Sequence, residues 1–463
     1  MKWFHYPTCA HKLSNNNILF AQDIGLLLII YIYIYIFIFI SYKFFGLSSA
    51  TSLALFTYFI TEISLSLTAI IPSQMHTSQT LPPQTTLALQ TLHCKQISSL
   101  LSHETFIKHQ CINTLKTLNS HIITCLAVHN NLLYAASTNI INVFDLSNHT
   151  NIDSFNENPT SGSVKSIAFN NINIFTAHQD SKIRVWQIRL THHHLVSTLP
   201  TLKDRLYRSL LPKNYVHVRR HKKKLWIEHC DTVSDLVMNK GLMYSISWDK
   251  SFKIWNTSDY YCLESVNKAH EDAVNAIAVS DNGVVYTASA DGCIRVWERN
   301  DSVKRHTLVS TLEKHKSTIN ALALNGDGSV LFSGGSDRLI MVWEKKMMIK
   351  NGVKNNMGFV EALWGHTGAV LCLINVQDCL FASGSSDRTV RIWQRKEHGY
   401  QCLVVMEGHE KPVKSLVAVS AEVSNGVVSV CSGSLDGEIK IWDISGSRIN
   451  NICPQIWFNE NLI

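Results

Sequence analysis

Cys379–Trp393 reads CLFASGSSDRTVRIW, and its pattern decides the fold. Leu380, Phe381 and Ala382 make a short apolar run, Gly384–Arg388 has turn chemistry, and Thr389–Trp393 alternates polar and apolar residues. That order predicts a strand, a tight turn and a second strand. The phrase returns as VYTASADGCIRVW (285–297), LFSGGSDRLIMVW (331–343) and SVCSGSLDGEIKIW (429–442). Looser copies are MYSISWDKSFKIW (243–255) and IFTAHQDSKIRVW (174–186). In all six an Asp stands six residues before a Trp, from Asp180/Trp186 to Asp436/Trp442. A register held that often defines an internal repeat.

Each full unit also opens with a His four residues before an apolar strand anchor: His229/Val233, His270/Val274, His315/Ile319, His366/Val370 and His409/Val413. This spacing allows a buried hydrogen-bond chain from the Trp indole through a strand hydroxyl to the His and on to the turn Asp. The expected sets are Trp297, Thr287, His270 and Asp291; Trp343, Ser333, His315 and Asp337; Trp393, Ser383, His366 and Asp387; and Trp442, Ser432, His409 and Asp436. They imitate a catalytic triad in composition, but their place inside every repeat assigns them to structure. Two earlier units are imperfect. In the first, Phe144 replaces the Trp and no Asp occupies the turn; in the second, Thr160 stands where the His belongs.

These residues resemble the WD40 repeat family, whose unit is a four-stranded propeller blade. The expectation is therefore an all-β, seven-bladed WD40 β-propeller over 109–443. Gln110–Leu115 (QCINTL) resembles the strand leading into later repeats and would complete the last blade, so that no sheet edge stays open at the closure.

From Trp186 to Trp255 there are 69 residues, against 42 from Trp255 to Trp297, and the excess lies in an insert at 199–229. Leu199-Pro200, Asp204-Arg205-Leu206 and Leu211-Pro-Lys-Asn-Tyr215 lead there to a basic run and Trp226-Ile-Glu-His229. This segment is similar to plant seven-bladed WD40 proteins of the JINGUBANG type. The resemblance implies a regulator of pollen germination and tube growth that acts through partner proteins.

The insert also holds most of the charge. The chain carries a formal +7, yet Lys203–Lys224 alone has nine Lys/Arg against the single acid Asp204. The basic character belongs to that insert. Its densest part comprises Arg219, Arg220, Lys222, Lys223 and Lys224, which read as a nuclear-import signal, an anionic-lipid or nucleic-acid contact, or a solvated rim. Direct nucleic-acid binding is not expected, because no stacked-aromatic RNA motif accompanies the run. His192–His194 reads as a polar lead into Leu195–Leu199.

The remaining chain divides into an apolar extension at 1–71, a polar linker at 72–108 and a tail at 444–463. Ile24–Tyr42 is 19 residues without a charge, just long enough to span a bilayer. Ile30–Ile36, IYIYIYI, is also what a repeated TA dinucleotide encodes, so a gene-model artefact competes with an anchor. Discounting the extension gives a cytoplasmic protein with nuclear access through Arg219–Lys224; a genuine span at 24–42 gives a membrane-anchored one. The 12 cysteines show no CxxC pair and no Cys/His cluster at zinc spacing, so reduced, buried thiols and no metal site are expected.

No phosphate-cradling loop, dinucleotide fingerprint, HExxH or GxSxG elbow occurs, so neither catalysis nor a cofactor is expected. The function expected is that of a non-catalytic scaffold, a monomeric propeller binding protein partners, a transcription factor or a ligase adaptor among the classes. On the narrow face, side chains come from the residue after each anchor (Lys165, Asn275, Asn320, Lys414) and the residue before each turn Asp, where Trp248 is the outlier. A second reading, a substrate receptor of a cullin-type ubiquitin ligase, rests on Trp186-Gln187-Ile188-Arg189. That stretch keeps the Trp and Arg of the Trp-Asp-x-Arg signature and lacks its Asp.

Overall fold

The computed structural model describes residues 107–117, 122–189, 192–219, 222–300, 302–345, 357–377, 379–397, 399–419 and 427–446. The segment 24–42, the linker up to 106 and the tail from 447 lie outside the described residues. Among the described residues no helix is long and apolar enough to cross a membrane.

Seven four-stranded antiparallel sheets follow one another along the chain. Blades 1 to 6 begin at Ile123, Val164, Val233, Val274, Ile319 and Val370, and each keeps its strands in chain order. Blade 7 takes Val413–Val419, Val427–Ser434 and Glu438–Ser445 from the end of the chain, and its fourth strand, Lys108–Lys116, from the start. Cys111 faces Trp442 across that seam. The closure thus pairs the two ends of the ring and removes an edge strand.

Alternation explains how blades stack. Within each blade the middle strands are buried on both faces, as in Leu380–Ser385 and Val330–Gly335, so they read as near-continuous apolar or small-residue runs. Apolar clusters then join successive blades: Phe381 and Trp393 of blade 6 share a core with Phe332 and Val342 of blade 5. Small residues make room for this. A Cβ on Gly433 would lie 2.6 Å from Ile123 Cγ2, so blade 1 seats its anchor where blade 7 has no side chain.

Every first strand carries a β-bulge just after its anchor, for example between Val233 and Asp235 and between Val413 and Ser415. A bulge leaves one residue unpaired and re-aims its side chain. The residue released is the one after the anchor.

The insert folds as a helix α1 (Leu202–Ser209), a short 3-10 turn (Pro212–Asn214) and a hairpin of Tyr215–Arg219 with Lys222–Leu225. His192–Leu199 is a strand throughout, which corrects the reading of His192–His194 as a polar lead. The His193 side chain is buried, stacks on Phe155 at 4.4 Å and meets Asp153 at 2.6 Å, tying blade 2 to blade 1. Eight described cysteines are free thiols, whereas Cys379 is disulfide-bonded, against the expectation that all are reduced.

Candidate functional site

Five blades carry the same polar chain. In blade 6 the Trp393 indole donates to Ser383 Oγ (2.8 Å), which meets His366 Nε2 (2.7 Å), while His366 Nδ1 meets Asp387 Oδ2 (2.8 Å). The corresponding bonds join Trp297, Thr287, His270 and Asp291, Trp343, Ser333, His315 and Asp337, and Trp442, Ser432, His409 and Asp436. Blade 3 adds a fifth set: Trp255, Ser245, His229 and Asp249. One proton order satisfies each chain: the indole donates to the hydroxyl, the hydroxyl to Nε2, and Nδ1–H to the carboxylate.

The carboxylates do more than the sequence foretold. Asp387 Oδ2 also accepts from Thr367 N, and Oδ1 accepts from Thr389 N and Oγ1. Burial opposes ionisation, but these bonds and the His366 ring outweigh it and hold the carboxyl well below the usual range. Burial likewise pushes His229, His270 and His409 down, so those rings stay neutral at pH 7. In these tetrads the indole, the hydroxyl, both ring nitrogens and the carboxylate are all paired within the blade.

Blade 2 reaches the same end differently. His178, on the strand that also carries Thr176, turns Nε2 to Thr176 Oγ1 at 2.7 Å, and Trp186 donates to the same hydroxyl. Asp180, without a His at Thr160, takes a bidentate pair from Arg184. Six of the seven blades therefore anchor a Trp indole. In blade 1 the buried Phe144 needs no acceptor.

Six of the seven residues released by the bulges divide into two groups; the seventh, Leu371, has no polar side chain, and Cys372 Sγ beside it donates to Val413 O at 3.8 Å. Thr124, Ser234, Asn275 and Asn320 each donate to the anchor carbonyl of the next blade: Val164, Val274, Ile319 and Val370. Asn275 and Asn320, expected on the face for partners, thus direct their amides at neighbouring blades. At the junctions from blade 2 to 3 and from blade 7 to 1, the released residues are Lys165 and Lys414. There the serine one position on makes the tie: Ser166 Oγ accepts from Leu236 N (3.3 Å) and Ser415 Oγ from Leu126 N (2.8 Å).

Lys165 lies with its ammonium 5.5 Å from the ring centroid of Trp248, which is 40% exposed. Burial, and after it the charge of Lys414, holds Lys165 below the usual lysine range. Neither lysine forms an ion pair among the described residues. Further in, Asp235 accepts from Leu236 N at 2.8 Å, and burial pushes its carboxyl up to about 6 despite hydrogen bonds with Ser166 and the Ile277 backbone.

Trp364 went unnoticed in the sequence and is 77% exposed. It lies two residues before His366, in the connection that carries that histidine. The corresponding positions before His229, His270, His315 and His409 hold Ile227, Lys268, Glu313 and Glu407, a contrast that could have revealed it.

In the insert, Lys223 is exposed, whereas Lys224 Nζ donates to His229 O at 3.1 Å. Lys224 is therefore a strut as well as a charge. Arg219 and Lys222 pair through the hairpin backbone, and Arg220 lies outside the described residues. No group of three or more His, Cys, Asp or Glu that could hold a metal ion occurs among the described residues.

This fold and these pins define a seven-bladed β-propeller with WD40 repeats. Four stretches, 261–298, 306–344, 358–394 and 400–443, match the WD40 model described as "WD domain, G-beta repeat", so the chain carries WD40 repeats. It is similar to the nuclear distribution protein nudF of Aspergillus niger, 27% identical over 48% of this chain and 43% of that one. It is also similar to "Cell division cycle 20.1, cofactor of APC complex" of Arabidopsis thaliana, 25% identical over 38% of this chain and 41% of the relative. The chain spans less than half the length of either relative.

Proposed function

We propose that this protein is a partner-binding scaffold whose reading surface is the Lys165–Trp248–Lys414 patch. The observation that carries this is the shift of the inter-blade tie to Ser166 and Ser415 at two junctions, which leaves both lysine ammoniums outside the tie, Lys165 lying against the partly exposed Trp248 ring. A lysine over an aromatic ring, with the charge of Lys414 acting on that lysine, suits an acidic segment with an apolar or aromatic anchor. Trp is over-represented among residues that dominate interface energy. Asn275 and Asn320 support the patch by holding blades 4 to 6 in register.

Affinity capture with the full chain, compared with Trp248→Ala and with Lys165→Glu/Lys414→Glu, tests the reading. Loss of the same partner in both variants, with the melting temperature held, supports it. Capture of every partner undiminished by either variant overturns it. The finer reading, a plant regulator of pollen germination and tube growth of the JINGUBANG type, rests on the insert's sequence; impaired tube growth on loss of the gene is its test.

A second reading makes the chain an adaptor of a larger complex, through a transcription factor or a cullin-type ligase. The relative named as a cofactor of the APC complex favours an adaptor. Trp186, however, is buried with its indole on Thr176, so the cullin signature has no exposed Trp here. Co-purification of a ligase adaptor with the full chain would support this reading, and its absence where known receptors retain it would end it. Nuclear access through Arg219–Lys224 belongs to the same proposals and is checked by localising the five-residue Gln variant.

A further inference from the structure

The insert between blades 2 and 3 is built inside out. Helix α1 turns its charged side to the protein: Asp204 is fully buried and accepts from Arg208 Nε at 2.7 Å and from Cys262 N at 3.4 Å. Arg208 donates to Cys262 O at 3.1 Å, and its guanidinium lies 4.5 Å from the Trp226 ring centroid. Thr201 caps the start of the helix by accepting from Asp204 N, and Asn214 Nδ2 closes its end on Arg208 O. The helix is thus pinned to blade 3 by its polar face.

Its apolar face points to solvent. Leu202, Leu206 and Leu210 follow one another at four-residue spacing and are 76%, 69% and 77% exposed. Tyr207 beside them is 72% exposed. A surface helix of a globular protein normally has the opposite orientation. The hairpin lies alongside, and a groove of about 390 Å³ between them has Leu202, Leu206, Tyr215 and Leu225 in its lining together with the polar Arg205, Lys223 and Glu228. Lys203, Lys213 and Lys223 are exposed around this face, and the acids nearby are committed: Asp204 to Arg208, and Glu228 to Arg205 at 2.9 Å.

We infer that α1 and the adjoining hairpin form a docking surface for an anionic lipid bilayer. Charge complementarity chooses the occupant, because the leucine row is bordered by uncompensated lysines. Shape chooses between a bilayer and a peptide. Leu202 and Leu206 form one wall of the groove yet stay largely exposed, and Tyr207 and Leu210 lie outside it, whereas helix-in-groove recognition buries its anchors in a concave apolar floor. Leucines that enter the acyl boundary, tyrosines at headgroup depth and lysines reaching lipid phosphates are the parts of an interfacial helix. The polar pins to Cys262 and Trp226 keep the leucine row in place before it meets a membrane.

Hydrogen exchange on the full chain tests this locally, so that binding by any other segment does not confuse the result. The amides of 202–210 should exchange roughly tenfold more slowly with phosphatidylcholine/phosphatidylserine vesicles, and at the unliganded rate with phosphatidylcholine alone. Leu206→Asn/Leu210→Asn and Lys203→Gln/Lys213→Gln/Lys223→Gln should each abolish that protection while the exchange of blade 4 strands stays unchanged. Unchanged exchange of 202–210 in wild-type protein with anionic vesicles overturns the inference. Equal protection by neutral vesicles, or protection only by an acidic amphipathic peptide, also overturns it.

Discussion

Lys165 of blade 2 reaches across to blade 3 and holds its ammonium 5.5 Å from the centre of the Trp248 ring. The contact joins two blades at a junction where the released bulge residue makes no backbone tie. A partly exposed cation–π pair contributes about 0.5–1 kcal/mol. A double-mutant cycle of Lys165→Met and Trp248→Ala, read by urea denaturation, should therefore give a coupling in that range. Each single variant should unfold cooperatively near the wild-type midpoint. A coupling near zero would show that the two side chains ignore each other in solution.

The tetrad hydroxyl is the most exacting position. Ser383→Ala leaves the Trp393 indole without an acceptor and His366 Nε2 without a donor, both in a buried setting. Unsatisfied buried groups cost about 1–3 kcal/mol each, so a loss of about 2–6 kcal/mol is expected. Ser258→Ala, at an exposed turn, should stay within about 0.5 kcal/mol. Equal effects at the two sites would remove the energetic meaning of the tetrad.

Acid should weaken the propeller in two windows. Burial lowers His178 to about 3 and pushes His229, His270 and His409 below their ordinary value. Near pH 6.5 the unfolded chain begins to bind protons that these folded rings refuse, so stability present above that pH falls as pH decreases. Asp249, Asp291, Asp337, Asp387 and Asp436 are held low by their partners against burial. Their contribution is present above the unfolded carboxylate value and is lost below about pH 4. Urea midpoints measured from pH 7.5 to 3.5 should show both slopes, the upper one reduced in His178→Gln. A flat profile down to pH 4.5 would contradict the burial of these rings.

Asp235 acts in the opposite sense. Its folded carboxyl titrates at about 6 against 3.8 for the free group, because burial disfavours the anion. Its contribution is fully present below pH 3.8 and is lost as pH rises through 6. Asp235→Asn keeps an acceptor for Leu236 N and removes the half-buried charge. At pH 7.5 it should stabilise by up to about 3 kcal/mol, taking 1.36 kcal/mol per pH unit, and at pH 4 it should change little. Stabilisation of equal size at both pH values would mean that packing, not charge, sets the effect.

Repeat number, blade order and four complete tetrads were legible in the chain, because covalent spacing alone places them. Six residues from Asp to Trp put both on one strand–turn unit, and a His four residues before its anchor lies at that unit's neighbouring connection. The closing strand was legible for a related reason: QCINTL repeats a phrase that later units use at the same place. His178 was not legible. It replaces a missing His from another strand, and a substitution in space leaves no mark in a linear register.

Tertiary packing alone decided the rest. Lys165 and Asn275 occupy the same position in the repeat, yet Lys165 lies against the Trp248 ring while Asn275 bonds to the backbone of the next blade; Ser166 supplies the backbone tie at the first junction, where Ala276 has no polar side chain to do so at the second. The insert announced its charge in its composition. Only the buried Asp204–Arg208 pair, which competes for the protein side of α1, decided that its leucines face outward.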